Sequence, residues 1–232
     1  MNFEMLDNPI WHALATHQKD FAIQNAHAKI LASEVGRFGA IKSPTPENLE
    51  GLAQLLIANH ATIALFTPQQ IKLPDNLKLL TTLEIRQMIC QNLKPSPKLE
   101  LHELTPADVP DMLELIELTK PGPFARRTIE LGQFWGIRVE QQLVAMTGER
   151  FHLPGYCEVS SVCTHPDFRG QGFAQALMTK LCQDILAGGE MPFLHVMSHN
   201  EKAIGVYEQL GFVERQQFFG YVLRAKPLEV YV

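Results

Sequence analysis

Residues 158–174, EVSSVCTHPDFRGQGFA, run an extended segment into a glycine-rich turn that opens a helix. Glu158 to Thr164 is rich in β-branched and small residues, which favour a strand, and His165-Pro166 ends it because proline disfavours helical geometry in the residue before it. Arg169-Gly170-Gln171-Gly172 supplies the turn. From Phe173 the apolar period changes: Phe173, Leu177 and Leu181 recur at every fourth residue and Ile185 continues, until Gly188-Gly189 gives a C-terminal stop. The helix therefore begins within the glycines. Its first N–H groups lack intrahelical acceptors and sit at the positive end of the helix dipole, so a pyrophosphate is stabilised there, and glycine lets it approach closely. Glycine turns before helices are common, and taken alone this one reads first as a tight connection.

A second pattern follows. After a short apolar strand, Pro192 to Met197, comes Asn200-x-x-Ala203-x-x-x-Tyr207-x-x-x-Gly211-Phe212, on a segment that reads as a helix started by a capping box from Ser198 to Glu201. At ~100° per residue, Asn200, Ala203 and Tyr207 share one face. Aromatic residues on such stripes are commonly core. The asparagine and alanine beside this one point to close approach by something polar.

Together these elements resemble the GCN5-related N-acetyltransferase (GNAT) superfamily, and within it the FR47-like group. The resemblance rests on Arg169, Gly172 and Ala174 as an Arg-x-x-Gly-x-Ala signature, on the preceding Val162-Cys163-Thr164-His165-Pro166, and on the Asn-Ala-Tyr-Gly-Phe helix, in that order. It is clear from about Leu99 to Arg224 and weak before that. It implies an α/β (α+β) GNAT fold, a mixed central sheet flanked by helices. It also implies acetyl transfer from acetyl-CoA to a primary amine by direct attack in a ternary complex, with CoA as product. Backbone groups of Val162, Cys163 and Thr164 are then expected to pair with the pantetheine arm as an added strand. Amides around Arg169, Gly170, Gln171, Gly172, Phe173, Ala174 and Gln175 are expected to cradle the pyrophosphate, with Asn200 and Tyr207 completing the cofactor site. Neither Gly-x-x-x-x-Gly-Lys-Ser/Thr nor Gly-x-Gly-x-x-Gly occurs, so a nucleoside triphosphate or dinucleotide fits less well.

The resemblance also assigns chemistry. Tyr207 stands where family members place an acid for the departing thiolate; a phenol of pKa ~10 against a thiol of ~8.5 suits that role, and a packing role stays open. A backbone N–H near Val162 to Thr164 is the expected oxyanion donor. Glu158 is the candidate base, its pKa expected to rise towards neutrality in a buried cleft. Other readings are that Glu158 orients the acceptor or pairs with Arg150, that His195 is the base, or that a water chain carries the proton. Cys163 raises an acyl-cysteine intermediate, but a cysteine on an apolar strand is ordinarily an inert small hydrophobe. A different class of function, a non-catalytic acyl-CoA-binding sensor, would preserve the same glycine turn.

The chain has 232 residues, 46% hydrophobic, and a net charge of -5, which disfavours nucleic acid as a partner. No apolar stretch approaches the ~20 residues of a membrane span and the start lacks a secretion signal, so a cytoplasmic protein is expected. The 4 cysteines, Cys90, Cys157, Cys163 and Cys182, show no Cys-x-x-Cys spacing, and the 9 histidines are scattered, so neither disulfide nor metal is expected.

The LKPSPK stretch, Leu93 to Lys98, divides an N-terminal α/β domain (1–95) from a GNAT domain (99–232). In the latter, Leu99–Leu104 reads as a strand, Pro106–Leu118 as a helix capped by Thr105, the segment after Pro121-Gly122-Pro123 as a poorer helix, and Gln133–Glu140 with Leu143–Leu153 as a hairpin around Gln141-Gln142. Glu158–Thr164 and Pro192–Met197 are expected parallel, with Phe212–Arg224 closing the sheet. In the first domain, Asn8 caps a helix with Pro9 at its first position, Pro46–Ala58 is a helix capped by Thr45, and Thr62–Phe66 is a strand. This half is readable as a degenerate copy of the same fold that shapes the acceptor side or a homodimer contact. The acceptor, a small amine, an amino acid or a peptide N-terminus, is expected against the segment after Pro121, Glu149, Arg150 and the Leu153–Tyr156 turn. Arg126-Arg127 is an anion-binding candidate or a solvated pair.

Overall fold

The computed structural model describes residues 3–226. The described chain opens with a 3-10 turn, Glu4–Asp7, followed by α1 (Pro9–Ala15), β1 (Ala22–Gln24), β2 (Ala28–Leu31), β3 (Phe38–Ile41), α2 (Pro46–Ala58), β4 (Thr62–Thr67) and β5 (Leu77–Cys90). Then come β6 (His102–Glu103), α3 (Val109–Thr119), β7 (Phe134–Val139), β8 (Gln142–Leu153), β9 (Tyr156–Thr164), α4 (Phe173–Ala187), β10 (Met191–Met197), α5 (Glu201–Gln209) and β11 (Phe212–Ala225). The strands form one mixed sheet of 11, in the order β1-β2-β3-β4-β11-β5-β10-β9-β8-β7-β6.

Local chemistry accounts for the elements. Thr45 Oγ1 accepts from the Asn48 N–H at 3.3 Å, capping α2 behind Pro46. Thr105 and Asp108 form a reciprocal capping box, on a 3-10 turn from which α3 continues. The β7–β8 hairpin turns at Glu140 and Gln141, both at positive φ, one residue before the expected turn. Gly172 precedes α4 and Gly188 follows it, as the apolar period requires. Four local expectations need correction. The strand at 99–104 shrinks to His102–Glu103, the helix after Pro123 is only a 3-10 turn, Thr128–Leu131, and α5 is capped by Asn200, whose Oδ1 accepts from the Ala203 N–H at 3.2 Å, in place of Ser198. Asn8 precedes α1 but its amide donates to the Ile41 carbonyl at 2.7 Å and does not cap the helix.

The division at 95–99 does not follow the sheet. β11 lies between β4 and β5, antiparallel to both, and β5 pairs on its other edge with β10. Strands from before and after LKPSPK therefore alternate, and the linker is tied down where the Lys94 N–H donates to the Leu210 carbonyl at 3.0 Å. β11 is an interior strand, not a closing edge, because both its neighbours come from the first 90 residues.

The sheet carries helices on both faces. Leu194 and Val196 of β10 pack with Met178, Leu181 and Tyr207 of α4 and α5. Phe193, which precedes them and points to the opposite face, packs with Leu6, Ile10 and Leu14 of the N-terminal turn and α1. This alternation is what a strand buried on both faces must show.

Candidate active site

β9 and β10 run parallel and pair only at Met191–Tyr156, Pro192–Cys157 and Phe193–Glu158. Beyond Glu158 the strands diverge. β10 stays paired with β5, and β9 stays paired with β8, so the facing edge of β9 from Val159 onward has no strand partner among the described residues. A bulge lies in this stretch: Gly148 faces Ser160 and Met146 faces Cys163, so β9 carries one extra residue, and Ser161 takes φ +54. A cleft of about 440 Å³ opens at the split, lined from one face by Phe38, Phe66 and Arg150 and from the other by Asn200, Ala203 and Tyr207.

At the far end of β9 the glycine turn has the expected form. Gly170 and Gly172 take φ +78 and +77, a left-handed region that side chains with a Cβ enter only with strain. The first bond of α4 runs from the Ala176 N–H to the Gly172 carbonyl at 3.0 Å, which leaves the N–H groups of Phe173, Ala174 and Gln175 without helical acceptors. A Cβ built at Gly170 meets nothing within 4 Å, so the space above the turn is open. Arg169 Nε donates back to the Thr164 carbonyl at 3.4 Å, holding the turn to the end of β9, and Gln171 is exposed beside it. These features suit a pyrophosphate.

Glu158 is fully buried. A second bulge, this one on β8, sets Arg150 and Phe151 together opposite it, since Glu149 faces Val159 and His152 faces Cys157. Arg150 Nε donates to Oε2 at 2.9 Å and Nη2 to Oε1 at 2.6 Å, while His195 Nδ1 donates to Oε1 at 2.6 Å. Burial alone would raise the carboxyl pKa, but the Arg150 guanidinium and the hydrogen bonds donated by Arg150 and His195 outweigh it and hold the group down at about 2. The expected rise towards neutrality is therefore corrected: the side chain is a fixed carboxylate, paired with Arg150.

His195 is locked as well. Its ring sits edge-on to Phe66, Phe193 and Phe218, with only 2% of the side chain exposed. Its Nε2 lies 3.1 Å from Gln87 Nε2. Gln87 Oε1 accepts from Arg215 Nη1 at 2.8 Å, a group that can only donate, and Gln87 Nε2 donates to the Leu6 carbonyl at 2.8 Å. The amide orientation is thereby fixed, so Gln87 donates to His195 Nε2 and His195 is neutral, with its proton on Nδ1.

Tyr207 reaches the cleft from α5, and its hydroxyl makes no hydrogen bond among the described residues. Burial pushes its phenol up to about 12. Asn200 lines the same wall while its Oδ1 caps the helix, leaving the amide NH2 for a ligand. Val162 packs towards α5, and Cys163 turns the other way into a core with Met112 and Met146. Burial raises the Cys163 thiol to about 11, which leaves little thiolate for an acyl-cysteine route. Phe173 packs under the sheet with Leu177, and Gln175 donates to Gln209 Oε1 at 3.1 Å, tying α4 to α5.

Of the expected acceptor-side residues, Gly122, Pro123 and Arg150 line the cleft, joined by Lys120 and Pro121. Glu149 instead accepts from the Gln133 N–H at 3.0 Å, and Pro154 to Tyr156 line a separate hollow with Glu190. Arg127 pairs on the surface with Glu130 and Glu34. His152 could share an ion with His17 and Glu190 or with Glu149 and Cys157, both groups lying towards the opposite end of β9 from the bulge. Sequence reasoning missed Phe38, Phe66, Gln87 and Arg215. Gln87 carried a signal, since it falls on the inward stripe of Leu83, Ile85 and Ile89.

Residues 134–219 match the FR47-like protein family model. A solved structure from Novosphingobium aromaticivorans, described as a GNAT-family acetyltransferase, is 35% identical and superposes with a TM-score of 0.87 over 95% of this chain and 98% of that one. A GNAT protein from Kribbella flavida, 14% identical, shares the fold at a TM-score of 0.63 over 94% of this chain and 97% of its own. An acetyltransferase of Yersinia enterocolitica is 46% identical over 50 residues, 21% of this chain and 35% of that protein, so the chain spans about a third of that curated relative. The chain belongs to the GCN5-related N-acetyltransferase superfamily, in its FR47-like group.

Proposed function

We propose that the protein is an acetyl-CoA-dependent N-acetyltransferase acting on a primary amine through a ternary complex. The observation that carries this reading is the coincidence of an unpaired β9 edge, an open left-handed glycine turn at one end of that edge, and the Tyr207 hydroxyl in the cleft between them. Acetyl-CoA, when bound, supplies the activated thioester. The edge at Val162–Thr164 accepts the pantetheine arm by strand addition, and the amides of Phe173, Ala174 and Gln175 take the pyrophosphate at the α4 terminus. The extra residue at Ser161–Val162 leaves a backbone N–H free of the ladder, in reach of a tetrahedral oxyanion.

Tyr207 stays protonated across the working range and donates a hydrogen bond to the leaving sulfur. At a pKa of about 12 its complete transfer of a proton to a thiolate of ~8.5 is uphill, so solvent supplies the net proton. Glu158 at about 2 holds a proton too weakly to act as the base, so water in the cleft carries the amine proton away.

A second reading is a sensor that binds acyl-CoA without turnover, and the fixed Glu158 carboxylate favours it. Calorimetry with acetyl-CoA, CoA, ATP and NAD, followed by a thiol-release assay with an amine panel, separates the two. Selective acetyl-CoA binding with amine-dependent CoA release supports the enzyme; binding without release supports the sensor. Preference for ATP, or no binding, defeats both.

A further inference from the structure

A row of hydrogen-bonded polar side chains crosses five neighbouring strands on the α1 face. It runs from Asp7 to Arg215 on β11, Gln87 on β5, His195 on β10, Glu158 on β9 and Arg150 on β8. Each link fixes the next. Arg215 sets the Gln87 amide, Gln87 sets the His195 tautomer, and His195 and Arg150 together saturate Glu158. The aromatic rings of Phe38 and Phe151 hold the far end, with the Arg150 guanidinium 4.6 and 5.2 Å from their centroids.

Arg150 is the end of the row that meets the cleft. Its Nε and Nη2 edge is occupied by Glu158, but Nη1 makes no hydrogen bond among the described residues, although the side chain is only 12% exposed. The guanidinium therefore presents its remaining Nη1–Nη2 edge, which matches two carboxylate oxygens. Lys120, which makes no ion pair among the described residues, lies on the rim of the same cleft. With Glu158 balanced by Arg150 and His195 uncharged, the cleft holds no free carboxylate among the described residues to receive an ammonium, and its unmatched charge is the positive one of Lys120.

Building on the N-acetyltransferase reading, we propose that Arg150 binds a carboxylate carried by the acceptor, so that the acceptor is an amino acid. The carboxylate brings the missing negative charge and orients the neighbouring amine towards the β9 bulge. The apolar walls at Phe38 and Phe66 receive the side chain.

The test is calorimetry on the CoA-loaded protein with matched probes: N-acetylglycine, N-acetylalanine and N-acetylphenylalanine, each against its C-terminal amide. At least one carboxylate should bind about tenfold or more tightly than its amide, the range expected when a site built to hold a charged group meets a neutral analogue. Arg150→Gln with Glu158→Gln, which removes both charges together and avoids a lone buried carboxylate, should erase the preference and leave CoA affinity unchanged. Equal affinity within every pair, no binding of any probe, or a preference that survives the double substitution would each overturn the proposal. CoA binding is read first, so failure of the donor reading is seen separately; if CoA does not bind, the same pairs are compared on the free protein.

Discussion

Arg150 grips Glu158 side-on, Nε to Oε2 at 2.9 Å and Nη2 to Oε1 at 2.6 Å, with the carboxylate entirely shielded from solvent. A bulge on β8 makes this possible by turning Arg150 to face Glu158 across the ladder. Breaking such a pair from one side leaves an uncompensated buried charge, which costs about 3–5 kcal/mol. Arg150→Gln should therefore lower the urea midpoint sharply, whereas adding Glu158→Gln should recover most of the loss. A double variant no more stable than the single one would show that the pair's charges do not set its stability.

The same carboxylate makes acid sensitivity predictable. Its folded-state pKa of about 2 lies below the ordinary value of 4.5, so its contribution is fully present above pH 4.5 and lost as pH falls through 2. A difference of this size amounts to roughly 3 kcal/mol. Glu158→Gln should flatten the stability profile between pH 4.5 and 2 in chemical denaturation series. An unchanged profile would assign the acid transition to other groups.

Much of the cleft was legible in the chain because its parts are local. The turn at Arg169–Gly172, the period from Phe173 to Ile185 and the Asn200–Tyr207 segment each depend on residues a few positions apart; the first two have the expected conformation, and the third is the expected helix begun later, with Asn200 as its cap. The other wall was not, since Phe38, Phe66 and Gln87 reach the site through pairings of β3, β4 and β5 with distant strands, and nothing in residues 77–90 announces that β10 will be their partner. The Glu158 pKa failed for a related reason: burial could be inferred locally and Arg150 was one open partner, but the two-sided grip by Arg150 on a bulged β8 and by the neutral His195 of β10 depends on strand register. Arg215 stands in a run of polar residues, VERQQ, whose inward member is set by a bulge between Glu214 and Gln216.

Tyr207 is expected to act through its hydroxyl alone. Its ring packs beside Phe212, centroids 6.2 Å apart, so Tyr207→Phe keeps the packing. Acetyl-CoA affinity should persist while turnover drops by about tenfold or more, the scale of a positioned proton donor. Because burial holds the phenol at about 12, the wild type should show no loss of kcat from tyrosine ionisation as pH rises to 10. Unchanged turnover in the variant would remove the hydroxyl from the reaction.

Gly172 separates the anion-binding role of the turn from its conformational role. At φ +77 any L-residue is strained by about 1–2 kcal/mol, so Gly172→Ala should lose some stability yet retain measurable acetyl-CoA binding. Gly172→Glu adds the same strain and also places a carboxylate at the amides of Phe173–Gln175, where it competes with and repels pyrophosphate. Binding should disappear in the glutamate variant and only weaken in the alanine one, by calorimetry at matched stability. If both variants bind alike, backbone geometry alone governs affinity, and the terminus of α4 is not where the phosphates lie.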